Sequence, residues 1–289
     1  MITPSQYVEH IRTSHWKLSE GGGDRVYDSD PGERGQPEYI IIPGRLAEPL
    51  RRDEAVEFVG WLRERHLMGA TLASICGGAF MLGHAGLLSG RRATTHWLYA
   101  DVFAAMFPDV AVTAGDIIVE DGDIITAGGM LAWTDLGIRI IHRVLGPTVM
   151  ADTAKFLLVD PAGREQRHYS IFAPRLMHGD DAVLRVQHWL QAHRSEEINV
   201  GALADRAGLE TRTFLRRFQK ATGLRPTEYV QALRVAMARE RLEFSRETVE
   251  RIAWTVGYKD PSAFRRVFQK VTGLTATAYR DRFGTAVSG

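Results

Sequence analysis

Two stretches of this chain carry nearly the same thirteen residues, displaced by 50 positions. The first reads RTFLRRFQKATGL from Arg212 to Leu224, the second SAFRRVFQKVTGL from Ser262 to Leu274. Tyr229 and Tyr279 continue the match downstream. Upstream, Val200, Leu203, Ala204 and Gly208 pair with Val249, Ile252, Ala253 and Gly257 at an offset of 49. Internal repetition of this kind constrains the fold more than composition does, because both copies must adopt one structural unit.

Each copy reads as helix, tight turn, helix. Val200, Leu203, Ala204 and Ala207 follow the i, i+3, i+4, i+7 spacing of one helix face. Gly208 suits the left-handed turn after it, and the second helix starts near Glu210 or Thr211. In the other copy Gly257-Tyr258 is the turn, Asp260 an N-cap and Pro261 a first helical residue, the positions those residue types favour. Gly223 and Gly273 serve as C-caps.

At about 100° per residue, Phe214, Leu215 and Phe218 face a core while Arg212, Thr213, Arg216 and Lys220 lie opposite. The same arithmetic exposes Ser262, Ala263, Arg266 and Lys270 in the second copy. A basic face on the second helix of a helix-turn-helix fits a DNA major groove. There Arg reads guanine, while Lys and Ser hold phosphates. The charge distribution agrees. Residues 1–180 hold 17 Lys+Arg against 23 Asp+Glu, a net of −6. The remaining residues hold 19 against 12, a net of +7. A basic half beside an acidic one predicts that the second part meets a polyanion. The expected contacts to double-stranded DNA are therefore Arg212, Thr213, Arg216, Lys220, Ser262, Arg266 and Lys270.

With these residues in view, Ala182–Phe283 resembles the DNA-binding domain of the AraC/XylS family of transcription regulators, and IAWTVGYKDPSAFRRVFQKVTG matches its signature region. The resemblance implies two helix-turn-helix units joined by a long helix, here at about Pro226–Phe244. Two departures stand out. Ala276 replaces a usual Pro, and Glu210 sits where Ser or Thr is commoner.

The first part of the chain has a different rhythm. Tyr39–Ile42 reads as a buried strand, Ala55–His66 as a helix and Ala70–Ile75 as a second strand. Cys76-Gly77-Gly78 then turns sharply into a helix from Ala79 to about Ala85. Strand, small-residue turn with a nucleophile, then helix is the pattern of a nucleophile elbow. Alternating strands and helices predict a doubly wound α/β sheet, with ligands at the carboxyl ends of its strands. Residues 1–37 show no clear strand, only Gly21-Gly22-Gly23 and many charges.

ASICGGAFMLGHAGLLSGRRATTHW and ITAGGMLAWTDLGIRIIHRVLG resemble the class I glutamine amidotransferase-like, or ThiJ/PfpI-like, domain found in one AraC subgroup. That resemblance implies a flavodoxin-like sandwich. In many such enzymes a His follows the Cys; here Gly77 does. Three readings of Cys76 stand side by side: a thiolate activated by a helix N-terminus, a pocket wall, or a small apolar residue in a strained turn. A ligand pocket is expected from Cys76, Gly77, His96, Trp97, Gly128 and Gly129. Trp97 and Trp133 are candidates for a cation–π box.

These readings give residues 1–178 as a sensing and dimerising domain and residues 179–289 as the DNA-binding domain. The expected function is a transcription regulator, an activator by resemblance, that answers a small effector such as an amine or nitrogen metabolite. It would act as a homodimer. No catalytic residue, metal or cofactor is expected. The alternative is a Cys-dependent hydrolase or amidotransferase fused to a DNA-binding domain. A single cysteine excludes an intrachain disulfide and fits a reducing cytoplasm. Met1–Gln6 has neither a basic nor an apolar leader region, so no secretory signal is expected. No apolar run reaches the ~18 residues of a membrane span.

Overall fold

The computed structural model describes residues 11–19, 22–32, 35–45, 48–160 and 164–285. The reading of Met1–Gln6 and Gly21 of the glycine triplet lie outside the described residues. The chain divides into two compact units, residues 1–167 and residues 168–289.

The first unit opens with strands β1 (Ser14–Ser19) and β2 (Gly22–Asp28), paired antiparallel. The sequence pattern had shown no strand here, because the hairpin is not built on apolar alternation. Arg12 donates to Asp28 at 2.8 Å, and Trp16 packs its ring 5.7 Å from Trp61. The Arg25 guanidinium lies 5.0 Å above the Trp16 ring.

Strands β3 (Tyr39–Ile42) and β4 (Thr71–Ile75) flank helix α1 (Arg52–Leu67). Next come α2 (Ala79–His84), the short strand β5 (Arg92–Ala93), α3 (Ala100–Met106) and the short strand β6 (Ala111–Val112). Strands β7 (Ile118–Asp121) and β8 (Ile124–Ala127) lead into α4 (Trp133–Leu157), which kinks at Gly146-Pro147. The central sheet has the order β3-β4-β8-β7, with β3, β4 and β8 parallel and β7 antiparallel.

Side chains alternate across the sheet, and the two faces are both covered. Leu72 and Ile124 join Ala55, Leu62, Phe80, Leu82 and Phe103 from α1, α2 and α3. Ala73, Ile75 and Ile125 join Leu136 of α4. Burial on both faces is why these strands read as near-continuous apolar runs. The unit is a flavodoxin-like α/β sandwich, as expected.

The second unit is all helix: α5 (Asp181–Ala192), α6 (Val200–Ala207), α7 (Thr211–Thr222), α8 (Pro226–Phe244), α9 (Val249–Thr255), α10 (Pro261–Thr272) and α11 (Ala276–Phe283). The repeat becomes two cores. One gathers Leu203, Ala204, Phe214 and Phe218 with Tyr229, Val230 and Leu233. The other gathers Ile252, Ala253, Phe264 and Phe268 with Val235, Ala238, Leu242 and Tyr279. Helix α8 belongs to both, its first half facing one core and its second half the other.

Residues 168–178, which the sequence reading grouped with the first domain, pack on the second unit. Phe172 meets the Tyr229 ring edge-on at 5.2 Å, and the Arg175 carbonyl accepts from Gln187 at 2.9 Å. Buried aromatic surface, rather than the polar Gly179-Asp180-Asp181 break, decides where this segment belongs.

The two turn glycines differ in what a side chain would cost. Both have positive φ, 68° at Gly208 and 95° at Gly257. A β-carbon at Gly208 has open space, whereas one at Gly257 would overlap the backbone carbonyl of Ser195. Gly208→Ala is therefore expected to cost about 1–2 kcal/mol of backbone strain. Gly257→Ala adds about 1–3 kcal/mol of overpacking. Urea midpoints of the two variants should differ in that order; equal midpoints would remove the close approach from the account.

Candidate nucleic-acid interface and strand-end site

Helix α7 has Phe214, Phe218 and Thr222 buried, and α10 has Phe264, Phe268 and Thr272. The copies match in detail. Phe218 meets Tyr229 edge-on at 5.3 Å, and Phe268 meets Tyr279 at 5.5 Å. Thr222 and Thr272 each donate back to the carbonyl four residues earlier at 2.8 Å. Glu210, the unusual cap, accepts from the Thr213 backbone at 3.1 Å and does what Ser or Thr does elsewhere. Asp260 accepts from the Ser262 and Ala263 amides, which holds its carboxyl below the usual carboxylate range.

The faces opposite these cores carry the expected residues. Arg212, Arg216 and Lys220 are exposed on α7, with Thr213 half-buried; Ser262, Arg266 and Lys270 are exposed on α10. Among the described residues, none of the five basic side chains has a carboxylate in ion-pair range. Neighbouring arginines differ. Arg217 grips Asp180, the N-cap of α5, with bonds of 2.8 and 2.7 Å, and that guanidinium pulls the Asp180 carboxyl down. Arg265 is paired with Glu250. The repeat thus separates arginines used inside the fold from those left to a polyanion. Sequence spacing missed the role of Arg217, since its partner lies 37 residues away.

At the strand ends of the first unit, Cys76 takes φ +52°, in the left-handed region. A non-glycine residue held there marks a constrained turn, and the turn joins β4 to α2 as a nucleophile elbow does. The thiol is fully buried and its sulfur faces the Arg45 carbonyl at 3.8 Å. Burial pushes its pKa up, against a smaller opposite pull from the Gly77 N–H. No histidine among the described residues reaches the sulfur. His84 bonds the Leu50 carbonyl at 2.7 Å. His96 accepts from the Leu98 amide at 3.1 Å, and burial lowers its pKa. A β-carbon at Gly77 would stand 2.8 Å from the Arg45 carbonyl oxygen, so the position has no room for a following His.

The other expected pocket residues gather near this turn. Ile75 pairs with Ala127 across parallel strands, which places Cys76 and Gly128 side by side. Thr95 donates to the Cys76 carbonyl at 2.9 Å. The Trp97 amide donates to Gln166 at 3.1 Å. Gly128 is buried and Gly129 half-buried. The Trp97 ring neighbours His96 at 5.4 Å, and no ring contact joins it to Trp133, which is 44% exposed. Sequence reasoning missed Gln166, Thr94 and Thr95. Nothing in the polar stretch around Gln166 distinguishes it. Among the described residues no cluster could hold a metal, and no helix is long and apolar enough to cross a membrane.

Comparison with known proteins follows the same division. Residues 203–282 match the family model described as a helix-turn-helix domain, and residues 26–143 that of the DJ-1/PfpI family. The HTH-type transcriptional regulator CdhR of Pseudomonas aeruginosa is 29% identical over 90% of this chain and 73% of its own length. The HTH-type transcriptional regulator GlxA of Rhizobium meliloti is 27% identical over 93% of this chain and 85% of its own. An isonitrile hydratase of Pseudomonas putida is 33% identical, over 42% of this chain and 49% of that enzyme. Two full-length relatives named as regulators, together with the duplicated helix-turn-helix and the α/β sandwich, identify the chain as a DNA-binding transcription regulator of the AraC family with an N-terminal DJ-1/PfpI-type domain.

Proposed function

We propose that this regulator reads double-stranded DNA with Arg212, Thr213, Arg216 and Lys220 of α7 and Ser262, Arg266 and Lys270 of α10. Its α/β unit receives a small effector at the strand ends without turning it over. The observation carrying the first half is the set of exposed basic residues that, among the described residues, have no carboxylate in ion-pair range. The second half rests on Cys76, a buried thiol whose pKa burial raises and which has no histidine beside it among the described residues. A nucleophilic cysteine needs the opposite environment, electropositive and partly open. For a ligand to regulate, it must favour one state of the protein over another. We further propose a cytoplasmic homodimer that acts as an activator.

A second reading is favoured by one observation. The Cys76 turn keeps elbow geometry, and an isonitrile hydratase is 33% identical over 42% of this chain. The two readings part on one assay. Wild type and Cys76→Ser are given glutamine, simple amides, esters and an isonitrile, with operator binding measured in parallel. The expected result is no turnover by either protein and unchanged operator affinity in Cys76→Ser. Turnover by wild type that vanishes in the variant would replace the sensor with an enzyme.

A further inference from the structure

Gln166 is 2% exposed, and every polar atom of its side chain is engaged. Its oxygen accepts from the Trp97 amide at 3.1 Å. Its nitrogen faces three acceptors: Thr94 Oγ1 at 3.1 Å, the Thr95 carbonyl at 2.9 Å and the Asp116 carbonyl at 2.9 Å. One donor on one side and three acceptors on the other read the two ends of a primary carboxamide in fixed order. A carboxylate would set an oxygen against two carbonyls. The flank is Gly128, where a β-carbon would overlap the amide. This cradle is joined to the strand ends, since Thr95 also bonds the Cys76 carbonyl and the Thr94 amide bonds Thr126 at 2.8 Å.

The side chain also anchors a particular stretch of backbone. Arg164 bonds Asp135 Oδ1 and the Leu131 carbonyl at 3.2 and 3.1 Å. The Gln166 backbone N–H donates to the Gly115 carbonyl at 2.8 Å. One residue later, after Arg167, the first unit ends. We propose that Gln166 is a tethered occupant of a primary-carboxamide subsite, that it latches the chain where it leaves the α/β unit, and that an effector carrying the same group displaces it. The inference rests on the sensor reading above and gives that site a ligand class. Displacement exchanges one amide for another in the same cradle, so few hydrogen bonds are lost inside the unit. What changes is whether the outgoing backbone remains held in the cradle by the hydrogen bonds of the Gln166 side chain.

The test uses the full chain with Gln166→Ala, which leaves a space the size of acetamide. Acetamide is expected to raise the melting temperature of this variant, and acetate at equal concentration is not. Trypsin cleavage after Arg164, Arg167 and Arg175 is expected to run about tenfold faster than in wild type, as the latched segment opens locally. It should stay fast with acetamide, because the filled subsite no longer holds the chain. Gln166→Glu keeps the side-chain size and decides the matter should the alanine variant not fold; it is expected to cleave fast without rescue. Cleavage at the wild-type rate in Gln166→Glu, or equal stabilisation of Gln166→Ala by acetamide and acetate, would overturn the latch. Operator binding is measured on the same preparations. Its absence in wild type would defeat the regulator reading while leaving the latch result standing.

Discussion

Phe268→Ala is expected to lose about 3–5 kcal/mol of stability and with it most operator affinity. Phe268 is fully buried between Phe264, with ring centroids 5.5 Å apart, and Tyr279. Truncation empties the centre of the second core, on which α10 rests while Arg266 stays exposed on its opposite face. Phe218→Ala should do the same to the first core, where Tyr229 lies 5.3 Å away. Because the cores share only α8, each truncation should melt one half earlier than the other. A chemical denaturation curve that splits into two transitions is the expected result. A single unshifted transition in both variants would show that the aromatic stacks carry little of the stability.

Arg216→Ala and Arg266→Ala are expected to cost about 1–3 kcal/mol each at the operator and to relax preference at one or two base pairs. Lys220→Ala should weaken all sequences alike and reduce the salt dependence of binding. Stability should be little affected, because these side chains are exposed. Footprinting should show two protected segments per chain about 10–10.5 base pairs apart, one for each helix. Arg217→Ala is the contrasting variant: its loss should act on stability, through Asp180. If Arg216→Ala and Arg266→Ala bind every sequence as wild type does, α7 and α10 are not the reading helices.

The DNA-binding half was legible because its information is local. The apolar spacing of Phe214 and Phe218, the cap-and-proline pair Asp260-Pro261 and the positive-φ glycines all act within one or two turns of chain. Helix α8 came out at the residues the family resemblance implied, Pro226–Phe244. Strands β3 and β4 were equally readable as apolar runs bounded by turns. What stayed hidden depends on distant partners. Arg12 and Asp28 bridge 16 residues, while Trp16 finds Trp61 on a helix that the hairpin sequence does not announce. Gln166 is the sharpest instance. Its meaning comes from Thr94, 72 residues back, and from a glycine whose missing β-carbon makes room for it. Gln166 lies against Gly128 and the Trp97 amide near the Cys76 turn, and it was not among the residues expected there.

Helix α8 has a consequence for how such a protein can change its binding site over time. One rigid rod sits in both cores, with Val230 and Leu233 serving the first and Val235, Ala238 and Leu242 the second. Inserting one residue between these sets would rotate the second half by about 100° and advance it by about 1.5 Å. On the reading proposed above, the exposed face of α10 would then turn away from the groove assigned to α7. A length change in α8 would therefore alter the spacing between the two DNA segments contacted. Exchange of exposed side chains on α7 and α10 would instead change the bases contacted and leave that spacing fixed.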